Sequence, residues 1–377
     1  MNRFFAIIGG AAMKISDVRS YKIRGRGWPG YPWVVVEVCT DEGISGFGES
    51  TPRDGVSEAV KGVRKRLVGE DPFNVTRLFE AISRRGAYLP FVSGIETALW
   101  DIVGRKLNVP ICKLLGGLCR EKVKVYVDGF FRGADYRPED YARKAEEIVG
   151  RGFSALKMDI DGPLASMHRI NRQPDRADLS ITAEIVAAVR EAVGYDVDLA
   201  VDTHGEFNLP TILKLGKMLE PYDLMWIEDP VPLHGGNVKT MAKVTAALKT
   251  PVCSGETLNR QGFRELFELQ AADIVMPDLT CVGGILELFK IAAIADVYHV
   301  PVAPHNMYSP LATMASVQVC ACVANFTVLE FQWGDVQWRD DLLDVPIPIK
   351  DGFIEVPDRP GIGVEINREE LEKHIVD

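Results

Sequence analysis

The chain has no Cys-x-x-Cys pair, no excess of basic residues and no apolar run of membrane-spanning length, and each absence removes a class of function. Its seven cysteines, Cys39, Cys112, Cys119, Cys253, Cys281, Cys320 and Cys322, are odd in number, scattered and mostly set in apolar stretches. They read as buried thiols of a reducing compartment, which predicts a cytoplasmic protein rather than a disulfide scaffold. A net charge of -10 leaves no basic surface for nucleic acid or an anionic membrane. The opening Met1-Asn-Arg-Phe-Phe-Ala-Ile-Ile carries one positive charge and a short apolar stretch, a poor signal peptide and far below the roughly 18 apolar residues of a membrane span. Residues 1–12 are therefore expected to be a leader or an upstream start with little structure. A dinucleotide fingerprint is also missing: Gly46-Phe-Gly48 lacks a third glycine and is read as a turn within a hairpin.

What is present is a globular composition, 47% hydrophobic and 25% charged, over 377 residues. The first third reads as an antiparallel α+β module. Trp33-Val-Val-Val-Glu-Val-Cys ends at a turn and Ile44-Ser-Gly-Phe-Gly-Glu returns, after which Ile95, Leu99 and Ile102 mark one face of a helix. From Val123 the pattern becomes strand, loop, helix, repeated, with strands expected at 123–127, 155–159, 198–202, 225–229, 251–256, 273–278, 300–305 and 327–332. Eight such units make a (β/α)8 TIM-type barrel the economical reading, with a doubly wound open sheet as the alternative. The expected division is a leader at 1–12, an α+β capping domain at 13–120, the barrel at 121–340, and a segment at 341–377 that packs back on the capping domain. Residues 160–176 form a long insertion at the catalytic edge, a place where loops often serve as lids.

The chemistry sits at the strand ends. Asp202, Glu228 and Glu256 are 26 and 28 residues apart, one strand plus one helix each, so consecutive βα units would bring three carboxylates to one barrel edge. An all-oxygen set suits Mg²⁺ better than zinc. The next ends offer Asp278, His305 and Glu330; a histidine beside an aspartate on the neighbouring strand makes a base, because the carboxylate fixes the imidazole tautomer. His204 follows Asp202 by two and would hold a second imidazole near the metal. Lys157 and Asp159 share one side of their strand. The bland readings are a core histidine for His305, a helix cap for His204, and solvated loop residues for His168 and His234.

Taken together, Gly-Phe-Gly-Glu49, the helix from Ala98-Leu-Trp-Asp to Leu114-Leu-Gly-Gly117, Asp202-Thr-His204, Ile227-Glu-Asp-Pro, Pro277-Asp-Leu and Ala303-Pro-His resemble the mandelate racemase and muconate lactonizing branch of the enolase superfamily. Within it, the chain looks most like acid-sugar dehydratases of the gluconate and galactonate type. The resemblance implies a capping domain over a barrel, Mg²⁺ on Asp202, Glu228 and Glu256, an Asp278/His305 dyad, and a homo-oligomer, dimer or octamer. It also implies the reaction: His305 takes the proton next to a substrate carboxylate, His204 protonates the departing 3-hydroxyl, and a 2-keto-3-deoxy acid results. Glu330, protonated or sharing a proton, would bond the substrate carboxylate, Lys157 would neutralise it, and Asp159 would bind a polyol hydroxyl or pair with Lys157. Arg24 and Trp28, on a loop of the capping domain, would read the far end of the substrate. His168 in the inserted loop and His234 after the fourth strand are, from their positions alone, further candidates to touch it. Racemases of this branch carry Lys-x-Lys on the second strand, whereas this one reads Lys157-Met-Asp159, which favours one-base dehydration. A racemase, epimerase or cycloisomerase of the same superfamily is the second expectation, and a non-catalytic metal-binding barrel the third.

Overall fold

The computed structural model describes residues 13–25, 31–83, 89–161, 174, 176–233 and 237–376. The expected leader, Trp28, His168, His234 and most of the 160–176 insertion lie outside the described residues.

Strands β1 (Ile15–Ile23), β2 (Trp33–Thr40) and β3 (Ser45–Ser50) form an antiparallel sheet in that order. Alternation along β2 explains its unbroken run of apolar residues: Val36 and Val38 join one core with the capping helices, while Trp33 and Val35 join the core shared with the barrel. A sheet covered on both faces needs no polar side. The helix Pro90–Leu107 lies on the first face, and it corrects the reading of Gly46-Phe-Gly48 as a turn. Both glycines are within β3, where an added Cβ would come 2.1 Å from the Ala98 carbonyl at Gly46 and 2.2 Å from the Gly94 carbonyl at Gly48. Their absent side chains let strand and helix touch backbone to backbone.

The barrel runs through β4 (Lys122–Asp128), β5 (Ala155–Asp159), β6 (Asp198–Asp202), β7 (Ile227–Glu228), β8 (Val252–Ser254), β9 (Ile274–Val275) and β10 (Leu329–Gln332). From β4 to β9 each pairs in parallel with the next, β10 pairs in parallel with β4, and isolated bridges at Val302 close the gap after β9. The expected strand at 300–305 is reduced to Val302, which bridges Val275 on one side and Phe326 on the other. Closure rules out the open doubly wound sheet. Inside, one residue from each of the eight positions builds a shared layer: Tyr126, Ala155, Ala200, Trp226, Cys253, Met276, Ala303 and Val328. Tyr126 and Trp226 meet edge to face at 5.3 Å, in a cluster whose other members include Ala155, Ala200 and Ala303.

The tail divides its contacts. A hairpin of β11 (Ile349–Lys350) and β12 (Phe353–Glu355) pairs antiparallel with the first half of β4, leaving β10 the second half. Farther on, Ile375 bridges Ile23 of β1, and Arg368 bonds the buried Glu37 of β2. The segment thus ties the barrel floor to the capping sheet instead of packing on the cap alone. No helix among the described residues is long and apolar enough to cross a membrane.

Candidate active site

Parallel closure brings the strand ends to the mouth of one cavity of about 360 Å³. Of the residues singled out from the sequence, Lys157, Asp159, Asp202 and His204 line it from β5 and β6, and Glu256, Asp278, His305 and Glu330 from the later positions. Glu228 is fully buried beneath them, where Oε2 accepts from Trp226 Nε1 at 2.9 Å. Arg24 is exposed and absent from this wall; its N–H pairs with the His374 carbonyl. Tyr31, Thr51 and Arg53 of the capping module contribute to the wall instead.

The Asp278/His305 pair is built as a unit. His305 Nδ1 lies 2.5 Å from Asp278 Oδ2, while Asp278 Oδ1 accepts from both the backbone N–H and the hydroxyl of Thr280, each at 2.6 Å. His305 Nε2 is 3.2 Å from Glu256 and 3.6 Å from Glu330. Burial works against a charged ring, yet Glu330, Glu256 and Asp278 outweigh it and raise the His305 pKa well above its ordinary value.

His204 sits in the left-handed region, φ 46°, a conformation uncommon outside glycine though histidine tolerates it better than most. Its N–H bonds Asp202 Oδ1 at 2.8 Å, its Nδ1 lies 3.2 Å from Asp161, and its Nε2 lies 3.5 Å from Asp202 Oδ2. Asp202 is the main cause of a pKa pushed up to about 12, with burial opposing and Asp161 and Asp159 adding to it, so the ring is an imidazolium at neutral pH.

Lys157 spends its donors on acids, with Nζ 2.6 Å from Glu228, 3.3 Å from Glu330 and 3.4 Å from Asp202. Lys157 is thus anchored to these three carboxylates rather than paired with Asp159, which corrects that expectation. Burial would raise the Glu330 pKa, but Lys157, His305 and the Asn306 N–H bring it down to about 2.

Asp159, Asp202 and His204 offer ligand atoms within 4.8 Å of one another, a mutually close set among the described residues. Asp202 and Glu228 are register neighbours on adjacent strands, and Glu256 faces His305. Acid greatly exceeds base here. Burial and Asp202 push Glu228 well above the carboxylate range, burial and Asp128 do the same to Asp159, and burial with Glu256 takes Asp229 up to about 7. Acids crowded in this way hold protons until a cation offsets their mutual repulsion, and such a set of oxygen donors fits a hard divalent cation.

Sequence reasoning missed Asp128, Asp161 and Thr280. Asp128 ends β4 and obeys the same strand-end rule as the acids that were found, so its signal was available. Asp161 acts through contact with His204, and Thr280 through contact with Asp278, relationships that spacing does not reveal.

Residues 29–116 match the model of the mandelate racemase and muconate lactonizing enzyme N-terminal domain, and residues 140–371 match the enolase C-terminal domain-like model. Among similar proteins, the D-xylonate dehydratase of Haloferax volcanii is 37% identical over 97% of this chain and 89% of that protein. The D-gluconate dehydratase of Thermoproteus tenax is 34% identical over 92% of this chain and 70% of that protein, and the D-galactonate dehydratase of Pectobacterium atrosepticum 33% over 95% and 93%. The crystal structure of a mandelate racemase/muconate lactonizing enzyme-like protein from Rubrobacter xylanophilus superposes with a TM-score of 0.89 at 36% identity, covering 97% of this chain and 98% of that one. With both of its domains matched and sugar-acid dehydratases among its relatives, the chain belongs to the mandelate racemase and muconate lactonizing group of the enolase superfamily, in its acid-sugar dehydratase part.

Proposed function

We propose that the protein is a hydro-lyase that converts an aldonic acid of the xylonate, gluconate or galactonate kind into a 2-keto-3-deoxy acid with the help of Mg²⁺. The observation that carries this reading is the presence in one cavity of two imidazoles, each held by its own carboxylate: His305 by Asp278 at 2.5 Å, and His204 by Asp161 at 3.2 Å. One base and one separate acid are what elimination of water requires. A racemase needs a second base instead. The second lysine of the racemase pattern is replaced here by Asp159, and the remaining Lys157 is committed to three buried carboxylates, which counts against the racemase and epimerase alternative.

In the proposed reaction His305 acts in its neutral form, the one favoured once the acids that raise its pKa are offset by a cation: Nε2 removes the proton on C2, and the electron pair of that bond moves into the carboxylate to give an enediolate. His204 then gives its proton to the C3 hydroxyl, the C3–O bond breaks as the electrons return to form a C2–C3 double bond, and water leaves. The enol so formed takes a proton at C3 and becomes the 2-keto acid. Asp202, Glu228 and Glu256 would hold the Mg²⁺, which when bound supplies the positive charge that a doubly negative enediolate needs. Asp159 and Asp128 line the cavity and would bind polyol hydroxyls of the substrate. Seven unpaired cysteines suit a cytoplasmic setting, and the family suggests a homo-oligomer, dimer or octamer.

The test is a panel of five- and six-carbon aldonic acids incubated with metal-stripped protein, with and without added Mg²⁺, and 2-keto-3-deoxy products detected as semicarbazones. Turnover of one or a few acids that depends on the ion supports the proposal. Proton exchange at C2 in D₂O without product formation would replace it with epimerisation or cycloisomerisation.

A further inference from the structure

The capping module reaches the Asp278/His305 pair through two threonines. Thr51, the residue after β3, faces Thr280 of the barrel with 2.8 Å between their hydroxyl oxygens, and the Thr51 N–H donates to the Thr280 carbonyl at 3.2 Å. Both residues are buried, 3% and 2% exposed. The direction of the hydroxyl bond follows from counting protons. Thr280 has one hydroxyl hydrogen, and Asp278 Oδ1 at 2.6 Å can only accept, so that hydrogen goes to the carboxylate. Thr280 is then left with lone pairs alone, and Thr51 must be the donor. A directed chain runs from Thr51 to Thr280 to Asp278 to His305.

Two donors on Oδ1 fix the carboxylate with Oδ2 turned to the His305 ring. Nδ1 must therefore carry a hydrogen, and Nε2 is the ring nitrogen that faces the cavity, 3.2 Å from Glu256. Two residues before Thr51, on the same side of the strand, Glu49 bonds the backbone N–H of Ser309 at 3.2 Å and also its hydroxyl, on the loop that follows His305. The end of β3 thus grips the loops that carry both members of the pair.

We propose that Thr51 and Thr280 are positioning residues for the base, so that the docked capping module sets the orientation of His305. The kinetic part of the test rests on His305 being the base of the proposed dehydration; the spectroscopic part does not. A hydrogen held between Nδ1 and a carboxylate at 2.5 Å is strongly deshielded, and its downfield proton resonance is identified by its loss in His305→Gln.

Thr51→Val keeps the shape and removes the donor. It is expected to move that resonance, to lower kcat/KM about 2- to 10-fold, the worth of one neutral hydrogen bond, and to raise the primary isotope effect with C2-deuterated substrate. Thr51→Ser is expected to restore all three. Thr280→Val, which strips a bond to a charged group, is expected to cost about 10- to 100-fold. The proposal is overturned if Thr51→Val leaves the resonance unmoved, or if Thr51→Ser moves it as far as Thr51→Val does, since that is the mark of packing. If no acid is turned over by the parent protein, the dehydratase reading fails, and the resonance alone still decides the relay.

Discussion

Lys157 Nζ lies 2.6 Å from Glu228 Oε1 on the cavity floor, with the two side chains 3% and 0% exposed. The same ammonium lies 3.3 Å from Glu330 and 3.4 Å from Asp202, so the lysine balances more than one acid. Lys157→Met removes the balance and leaves buried carboxylates unpaired. The expected loss is about 3–5 kcal/mol of stability, read by urea denaturation with the metal chelated. A loss below about 1 kcal/mol would show that the acids are satisfied without the lysine.

The two imidazoles are separable by experiment. His305→Gln should abolish both C2 proton exchange in D₂O and product formation. His204→Asn should keep exchange while product formation falls about 10²- to 10⁴-fold, the usual contribution of a general acid. If His204→Asn still dehydrates at the parent rate, another group is the acid.

The residues carrying this division were legible in the sequence because a closed parallel barrel converts chain spacing into convergence. Asp202, Glu256, Asp278, His305 and Glu330 were placed at one mouth by counting strands alone. Depth was not legible: Glu228 and Glu256 obey the same rule, yet one is fully buried beneath the cavity and the other lines it. The surroundings of Glu330 were not legible either, because the Lys157 ammonium and the Asn306 N–H beside it come from other strands and loops. The strand at Val302 looked like its neighbours in apolar content but keeps only a single bridging residue. Gly46 and Gly48 read as turn formers since a sequence does not show that a helix passes within touching distance.

That close approach gives a further prediction. Gly46→Ala would place its Cβ 2.1 Å from the Ala98 carbonyl and 2.8 Å from the Ile102 side chain, so the helix Pro90–Leu107 must shift. Overpacking of this kind costs about 1–3 kcal/mol. Chemical denaturation of the variant checks it, and an unchanged midpoint would mean the helix moves freely.

Glu96 joins the same helix to the barrel. Its carboxylate oxygens accept from the N–H groups of Ile285 at 2.7 Å and Leu286 at 3.1 Å and from Trp100 Nε1 at 2.8 Å. Burial dominates and pushes its pKa up from 4.5 to about 8, despite these donors. The folded protein therefore holds a proton that the unfolded chain has released between those two values. The associated stability is present in full below about 4.5, declines as pH rises, and is gone above about 8. A shift of this size is worth roughly 5 kcal/mol at most. Melting temperatures across pH 5 to about 9 should fall more steeply for the parent than for Glu96→Gln; parallel curves would refute the assignment.

The divided edge of β4 has a consequence for synthesis. Its partner residues in β10 follow far behind, with Gln332 coming 204 residues after Asp128, and the hairpin that covers its other half comes later still. At ordinary translation rates the ribosome takes roughly 10 to 40 seconds to deliver β10. Throughout that interval Val123, Val125 and Val127 stand on an exposed sheet edge, open to pairing with another nascent copy. The molecule's time of greatest risk is set by the order in which its strands emerge, and chaperone capture of chains halted between β9 and β10 should exceed capture of chains released past β12.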